Sequence, residues 1–181
     1  MFLIERAIGI GCFYFVLFIN CYLFSYVKGK QYKFILILYL ALLCVFAFAF
    51  EPYETSDLYQ LREYMQSWIN YDWEDLLYYA FKRSDPIWII FSYLTSLFGN
   101  INWLQTTSCF CGMILLFSVI SDLVQRFELK GKQKGILLFV ALCSGDLFMG
   151  LIGGIRSPLG SIIIFYCIYK EFFEKRNVLV D

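Results

Sequence analysis

The stretch FILILYLALLCVFAFAF, Phe34–Phe50, carries no charged side chain, and its one polar group is the hydroxyl of Tyr39. A helix over these residues is apolar on every side of its wheel, which suits lipid or a bundle core and no water-facing surface. At 1.5 Å per residue it is about 26 Å long, most of a hydrocarbon core ~30 Å thick. Immediately before it stand Lys28, Lys30 and Lys33, and before those a second apolar stretch, Ala7–Val27. Immediately after it the composition changes to an acid-rich and aromatic-rich insert, Glu51–Asp85.

The same alternation continues along the chain. Apolar stretches at about Ile101–Val124, Gly135–Ile152 and Pro158–Phe173 are bounded by two further basic segments, Arg126–Lys134 and Lys170–Arg176. Basic loops mark the cytoplasmic side of a membrane, and acidic loops are free to lie opposite them. The pattern predicts an all-α polytopic membrane protein of about five spans, with the N-terminus out and the C-terminus in. Composition agrees: 60% of the 181 residues are hydrophobic, 21% aromatic and only 17% charged, well away from a soluble domain. The net charge is zero, but the charges are segregated, so the total says little about partners.

Within the insert, Leu58, Leu61, Met65 and Trp68 recur at helical spacing, with Gln60, Arg62, Glu63 and Gln66 on the other face. Asp72 can cap a second short helix carrying Trp73, Leu76, Leu77 and Phe81. So many Tyr and Trp favour the headgroup level, and these helices are expected along the outer membrane surface. Asp85-Pro86 starts a third helix, Asp as cap and Pro at the first position, ending at Gly99-Asn100. Were Pro86–Phe98 to cross, the basic segment Arg126–Lys134 would fall on the wrong side. It is therefore read as juxtamembrane or re-entrant.

Seven Cys and no His argue against the common His-containing metal sites, and no cofactor, metal or nucleic-acid partner is expected. Cys12, Cys21, Cys44, Cys143 and Cys167 fall inside predicted spans and read as small buried hydrophobes. Cys109 and Cys111, two apart on a helix, form no CxxC-type site. Glu5–Arg6 makes no basic n-region, so a cleaved signal peptide is not expected. Walker, dinucleotide and serine-hydrolase motifs are missing.

Chemistry is expected on the outer face. Asp57, shortly after the exit at Phe50, could act as a general base, or cap its helix with Gln60 three residues on. Arg156 is the only basic residue between Lys134 and Lys170. It precedes Ser157-Pro158, a good helix start, and follows Gly153-Gly154, an arrangement suited to phosphate or pyrophosphate. Its other reading is an interfacial arginine or a structural partner for Asp146, which lies at membrane depth and needs one. Gln105, with Thr106, Thr107 and Ser108, makes the outer end of its span polar, fit to line a hydrated cavity or bond a neighbouring helix. Lys82-Arg83 offers a second basic substrate-binding position or an interfacial anchor.

These residues carry a resemblance. Glu-Thr-Ser-Asp57-Leu-Tyr-Gln-Leu-Arg-Glu-Tyr64, Asp72-Trp73, Lys-Arg-Ser-Asp-Pro86-Ile-Trp88-Ile and Leu-Phe-Gly99-Asn100 together resemble the first outer loop of GT-C-type polyprenyl-phosphate-dependent glycosyltransferases. Among those the insert is most similar to EpsG/Wzy-type polymerases of exopolysaccharide and capsule, and Gly-Gly-Ile-Arg156-Ser-Pro-Leu-Gly resembles their outer-face arginine motif. The resemblance implies an enzyme of the bacterial cytoplasmic membrane that transfers a glycan from an undecaprenyl-pyrophosphate-linked oligosaccharide to an acceptor hydroxyl. Asp57 would be the base and Arg156 the ligand of the leaving pyrophosphate. Membrane lipids and other polysaccharide-assembly membrane proteins are the implied partners. Ser157 stands where such polymerases often have Gln. They usually have about ten or more spans, so the chain is expected to correspond to an N-terminal portion. A non-catalytic membrane subunit, or a component that binds or transports lipid-linked sugar, is the competing expectation.

Overall fold

A computed structural model describes residues 2–27, 31–51, 57–68, 70–143 and 147–178, with the side chains of 2–10, 57, 143, 149 and 174–178 outside that description. All regular structure among the described residues is helical. The helices are α1 (Phe2–Tyr26), α2 (Tyr32–Ala49), α3 (Asp57–Trp68), α4 (Trp73–Phe81), α5 (Pro86–Ser96), α6 (Asn102–Arg126), α7 (Lys132–Cys143), α8 (Leu147–Gly153) and α9 (Arg156–Val178). Two of them, α2 and α6, are long and apolar enough to cross a membrane, and Gly11–Tyr26 and Pro86–Ser96 are apolar but shorter.

The long helices form a bundle with α6 at its centre, packed against α2, α8 and α9, while α1 lies against α7 and α2. Its core runs through Leu17, Phe24, Tyr39, Leu43, Met113, Ile120, Leu138 and Leu151. Close approach of α1 and α7 depends on Gly135, whose missing Cβ would lie 2.8 Å from the Cys21 carbonyl oxygen and collide with Ser25 Oγ. On the bundle's outward face Phe15, Phe18, Tyr22, Phe34, Ile37, Val45, Ile136, Ile164 and Phe172 are exposed. So many exposed large apolar side chains suit a surface that lipid or a partner covers.

The two ends of the bundle differ. At one end described residues within and beside the basic segments bond one another. Lys134 Nζ donates to the Val27 carbonyl (2.5 Å), Gln125 Nε2 donates to the Tyr32 hydroxyl (2.9 Å), and Asp122 accepts from Arg126 Nε and from the Tyr169 hydroxyl (2.6 Å each). At the other end α3, α4 and α5 form a cap with its own core of Leu58, Leu61, Met65, Trp68, Leu76, Ala80 and Ile89, closed from below by Leu104 of α6 and by Ile155. Helix α5 stays in this layer. Asp85, just before it, reaches Arg156 at the start of α9, and Phe98, just after it, packs on Trp103 at the start of α6.

Of the stretch Gly135–Ile152, the described parts belong to α7, which packs mainly on α1, and α8, which packs on α6 and α9; residues 144–146, Asp146 included, lie outside the description. Two expectations change. Asp72 and Asp85 occupy the N-cap positions of α4 and α5, but neither side chain bonds its helix. Of the cysteines read as buried, Cys21 is, whereas Cys12 and Cys167 face outward and Cys44 is partly covered.

Candidate functional site between the cap and the start of α9

The apolar stripe of α3 (Leu58, Leu61, Met65, Trp68) is driven into the cap core and fixes that helix's rotation. Gln60 and Tyr64, which flank the stripe, are thereby turned toward the start of α9. With Leu61, Gly154, Arg156 and Ser157 they line a cavity of about 300 Å³. Asp57 is the first residue of α3 and shares the i, i+3, i+4, i+7 row with Gln60, Leu61 and Tyr64; its side chain lies outside the description. Neither Gly153 nor Gly154 is there to relieve a clash, since a Cβ at Gly153 meets nothing within 4 Å and one at Gly154 only the Gly150 carbonyl at 3.8 Å.

Arg156 is the basic member of the cavity's described lining. Its Nη1 donates to Asp85 Oδ2 at 3.3 Å, with the two side chains 49% and 53% exposed. Its guanidinium also lies 5.9 Å from the centroid of the Trp88 ring. An ion pair this exposed is worth at most about 1 kcal/mol. A phosphate could therefore displace Asp85, and the planar fork of arginine suits two phosphate oxygens at once.

Beneath the cap lies a polar knot that sequence reading missed. Arg62 Nη2 donates to Asn102 Oδ1 (2.6 Å), Gln105 Oε1 (2.7 Å) and the Phe50 carbonyl (3.2 Å). Gln105 Nε2 donates in turn to the carbonyls of Ala47 (2.6 Å) and Phe50 (2.7 Å). Those carbonyls lie at the end of α2; the Ala47 oxygen also takes the Phe50 N–H at 3.3 Å, and the knot adds side-chain donors to both. Burial pushes the Arg62 guanidinium below its ordinary range, opposed by the nearby Glu51 carboxylate, and arginine stays charged regardless. Its Nε is buried without a partner among the described residues. Assigned by periodicity to the exposed face, Arg62 in fact stands at i+4 from Leu58 and i−3 from Met65, on the buried row; that spacing was the available signal.

The remaining sequence candidates are placed elsewhere. Gln105 is fully buried with its amide committed to the knot, and it is not among the cavity's lining residues. Thr106 and Thr107 bond back to the Asn102 and Trp103 carbonyls within α6. Lys82 sits over the Tyr78 ring at 3.9 Å, and Arg83 donates to the Tyr79 hydroxyl at 2.9 Å, so both are held on the outer surface of α4. The arrangement can bind an anion at Arg156 beside an aromatic, hydrogen-bonding wall. No protein family, curated protein sequence or solved structure matches the chain.

Proposed function

We propose that the chain is a five-span protein of a bacterial cytoplasmic membrane, N-terminus out and C-terminus in, and that its outer face transfers a glycan from an undecaprenyl-pyrophosphate donor in exopolysaccharide or capsule synthesis. The observation that carries the reading is the cavity joining α3 to the start of α9, with Arg156 exposed in it. It opens at the cap end, away from the basic turns, and the bundle below presents the apolar faces a bilayer would cover. In the reaction Arg156 holds the pyrophosphate. The acceptor hydroxyl oxygen bonds the anomeric carbon while the bond from that carbon to the pyrophosphate oxygen breaks. The hydroxyl proton passes to the Asp57 carboxylate, and undecaprenyl pyrophosphate leaves.

The test uses membranes carrying the protein, supplied with radiolabelled undecaprenyl-pyrophosphate-linked oligosaccharide and acceptor, with products sized on gels. Transfer is expected, lost in Asp57→Asn, and reduced in Arg156→Lys by more than charge alone accounts for, because Lys keeps the charge without the fork. Donor binding without transfer would assign the chain to the non-catalytic subunit class. Neither binding nor transfer would end the proposal. Orientation is tested separately by an Asn100→Cys variant whose other cysteines are replaced: an impermeant maleimide should label it from outside intact cells.

A further inference from the structure

We propose that the same cavity is a two-part site in which Tyr64 and Gln60 of α3 hold the first sugar of the donor while Arg156 holds its phosphate. The inference rests on the reading of the site as a glycosyl-phosphate site and adds the subsite for the sugar. A pyranose presents an apolar face of C–H bonds and a rim of hydroxyls. Its complement is an exposed aromatic face next to an uncommitted amide. Tyr64 supplies the face: 54% of the residue is exposed, and its ring is stacked on Trp68 with centroids 6.3 Å apart and planes 16° off parallel. Trp68 is itself in the cap core, so the platform is held in place before any ligand arrives. Gln60 lies one turn earlier on the same row, exposed, and its amide makes no hydrogen bond among the described residues. Leu61, buried between them, forms the floor.

The size fits one ring with its phosphate. About 300 Å³ is at the small end of ligand pockets, which run ~300–1,000 Å³. A longer glycan must extend out of the cavity, so Tyr64 and Gln60 read the sugar next to the phosphate and no other.

The experiment measures binding of two probe types to the purified protein in lipid nanodiscs: farnesyl pyrophosphate, and farnesyl pyrophosphates each bearing one hexose or N-acetylhexosamine. Wild type should bind its preferred sugar-bearing probe about tenfold more tightly than the bare pyrophosphate, the scale of one good aromatic contact with its hydrogen bond. Tyr64→Ala should bring the two to equality and leave bare pyrophosphate binding unchanged, Tyr64→Phe should keep most of the preference, and Gln60→Ala should fall between. Arg156→Ala should weaken both probes together. If wild type shows the preference and Tyr64→Ala retains it, with the variant's melting temperature unchanged, the sugar subsite is overturned while the phosphate site stands. If wild type binds neither probe, the glycosyl-phosphate reading falls and the subsite with it.

Discussion

The bundle and the cap bury their residues by different means. In the bundle, α2 has six buried positions, Tyr32, Leu36, Tyr39, Leu40, Leu43 and Ala47, while Phe34, Ile37, Leu38 and Val45 on the same helix are exposed and just as apolar. The inward and outward faces of that helix cannot be told apart by hydropathy. In the cap, the buried Leu58, Leu61 and Met65 of α3 alternate with the exposed Gln60, Glu63 and Gln66, and a polar knot anchors the layer. Where both faces of a helix are apolar, shape and small residues must choose its contacts. Where the outer face is polar, the apolar stripe sets the rotation. The cap therefore depends on a few directed bonds to sit on the bundle, whereas the bundle depends on close packing.

Substitutions that should affect one region and spare the other test this contrast. The largest effect is expected from a charge on the bundle's outward face. Leu42→Lys, near the middle of α2, should lower membrane insertion by about 3 kcal/mol, while Tyr78→Lys, exposed in the cap, should leave it unchanged. Insertion assayed by glycosylation or alkaline extraction gives the comparison, and equal effects would erase the distinction between the two surfaces.

Gln105→Leu comes next. It removes two donations to the carbonyls ending α2 and one acceptor of Arg62, and should cost about 2.5 kcal/mol, the scale of three lost hydrogen bonds, one of them from a charged group. Limited proteolysis should then cut the segment between α2 and α3 faster while α6 stays protected. Uniform loss of protection would mean that the cap and bundle unfold as one unit.

Gly135→Ala should cost about 2 kcal/mol by forcing α7 off α1, measured as a lower melting temperature in detergent. Gly154→Ala is the control, with the Gly150 carbonyl at 3.8 Å the one neighbour given for its methyl; its stability should be unchanged. The smallest effect belongs to Asp85→Asn. Breaking so exposed an ion pair should shift stability by less than about 0.5 kcal/mol, yet phosphate-probe binding should strengthen, since the anion no longer competes with a carboxylate for Arg156. Unchanged or weaker binding would mean that Asp85 orients the arginine instead of opposing the ligand.

The cap was legible at the level of its elements. The expected helix after Asp57, the one after Asp72 and the one beginning at Pro86 are α3, α4 and α5, because a stripe of apolar residues at period 3.6 and a Pro at the first turn are local signals. Capping was legible as position only. Asp72 and Asp85 stand where caps stand, but Asp85 is drawn to Arg156, a residue seventy-one positions away. Gln105 shows the same limit: a polar group near a helix end suits a cavity or a buried knot equally well until its neighbours are known.

Sequence alone determined the helical class, the apolar character of α2 and α6, the opposition of basic turns to an acidic insert, and the residue types on each row of α3. These follow from composition and period, which act within a few turns of chain. The tertiary structure decided which charged side chain is buried in bonds and which stays exposed. Arg62, read as exposed from the pattern, is spent on α2 and α6, and Arg156 faces a cavity, held among the described residues by a solvent-screened carboxylate and the Trp88 ring. That division depends on which helix ends meet across the bundle, and pairings of that kind join residues 40 or more positions apart, beyond the reach of any local rule.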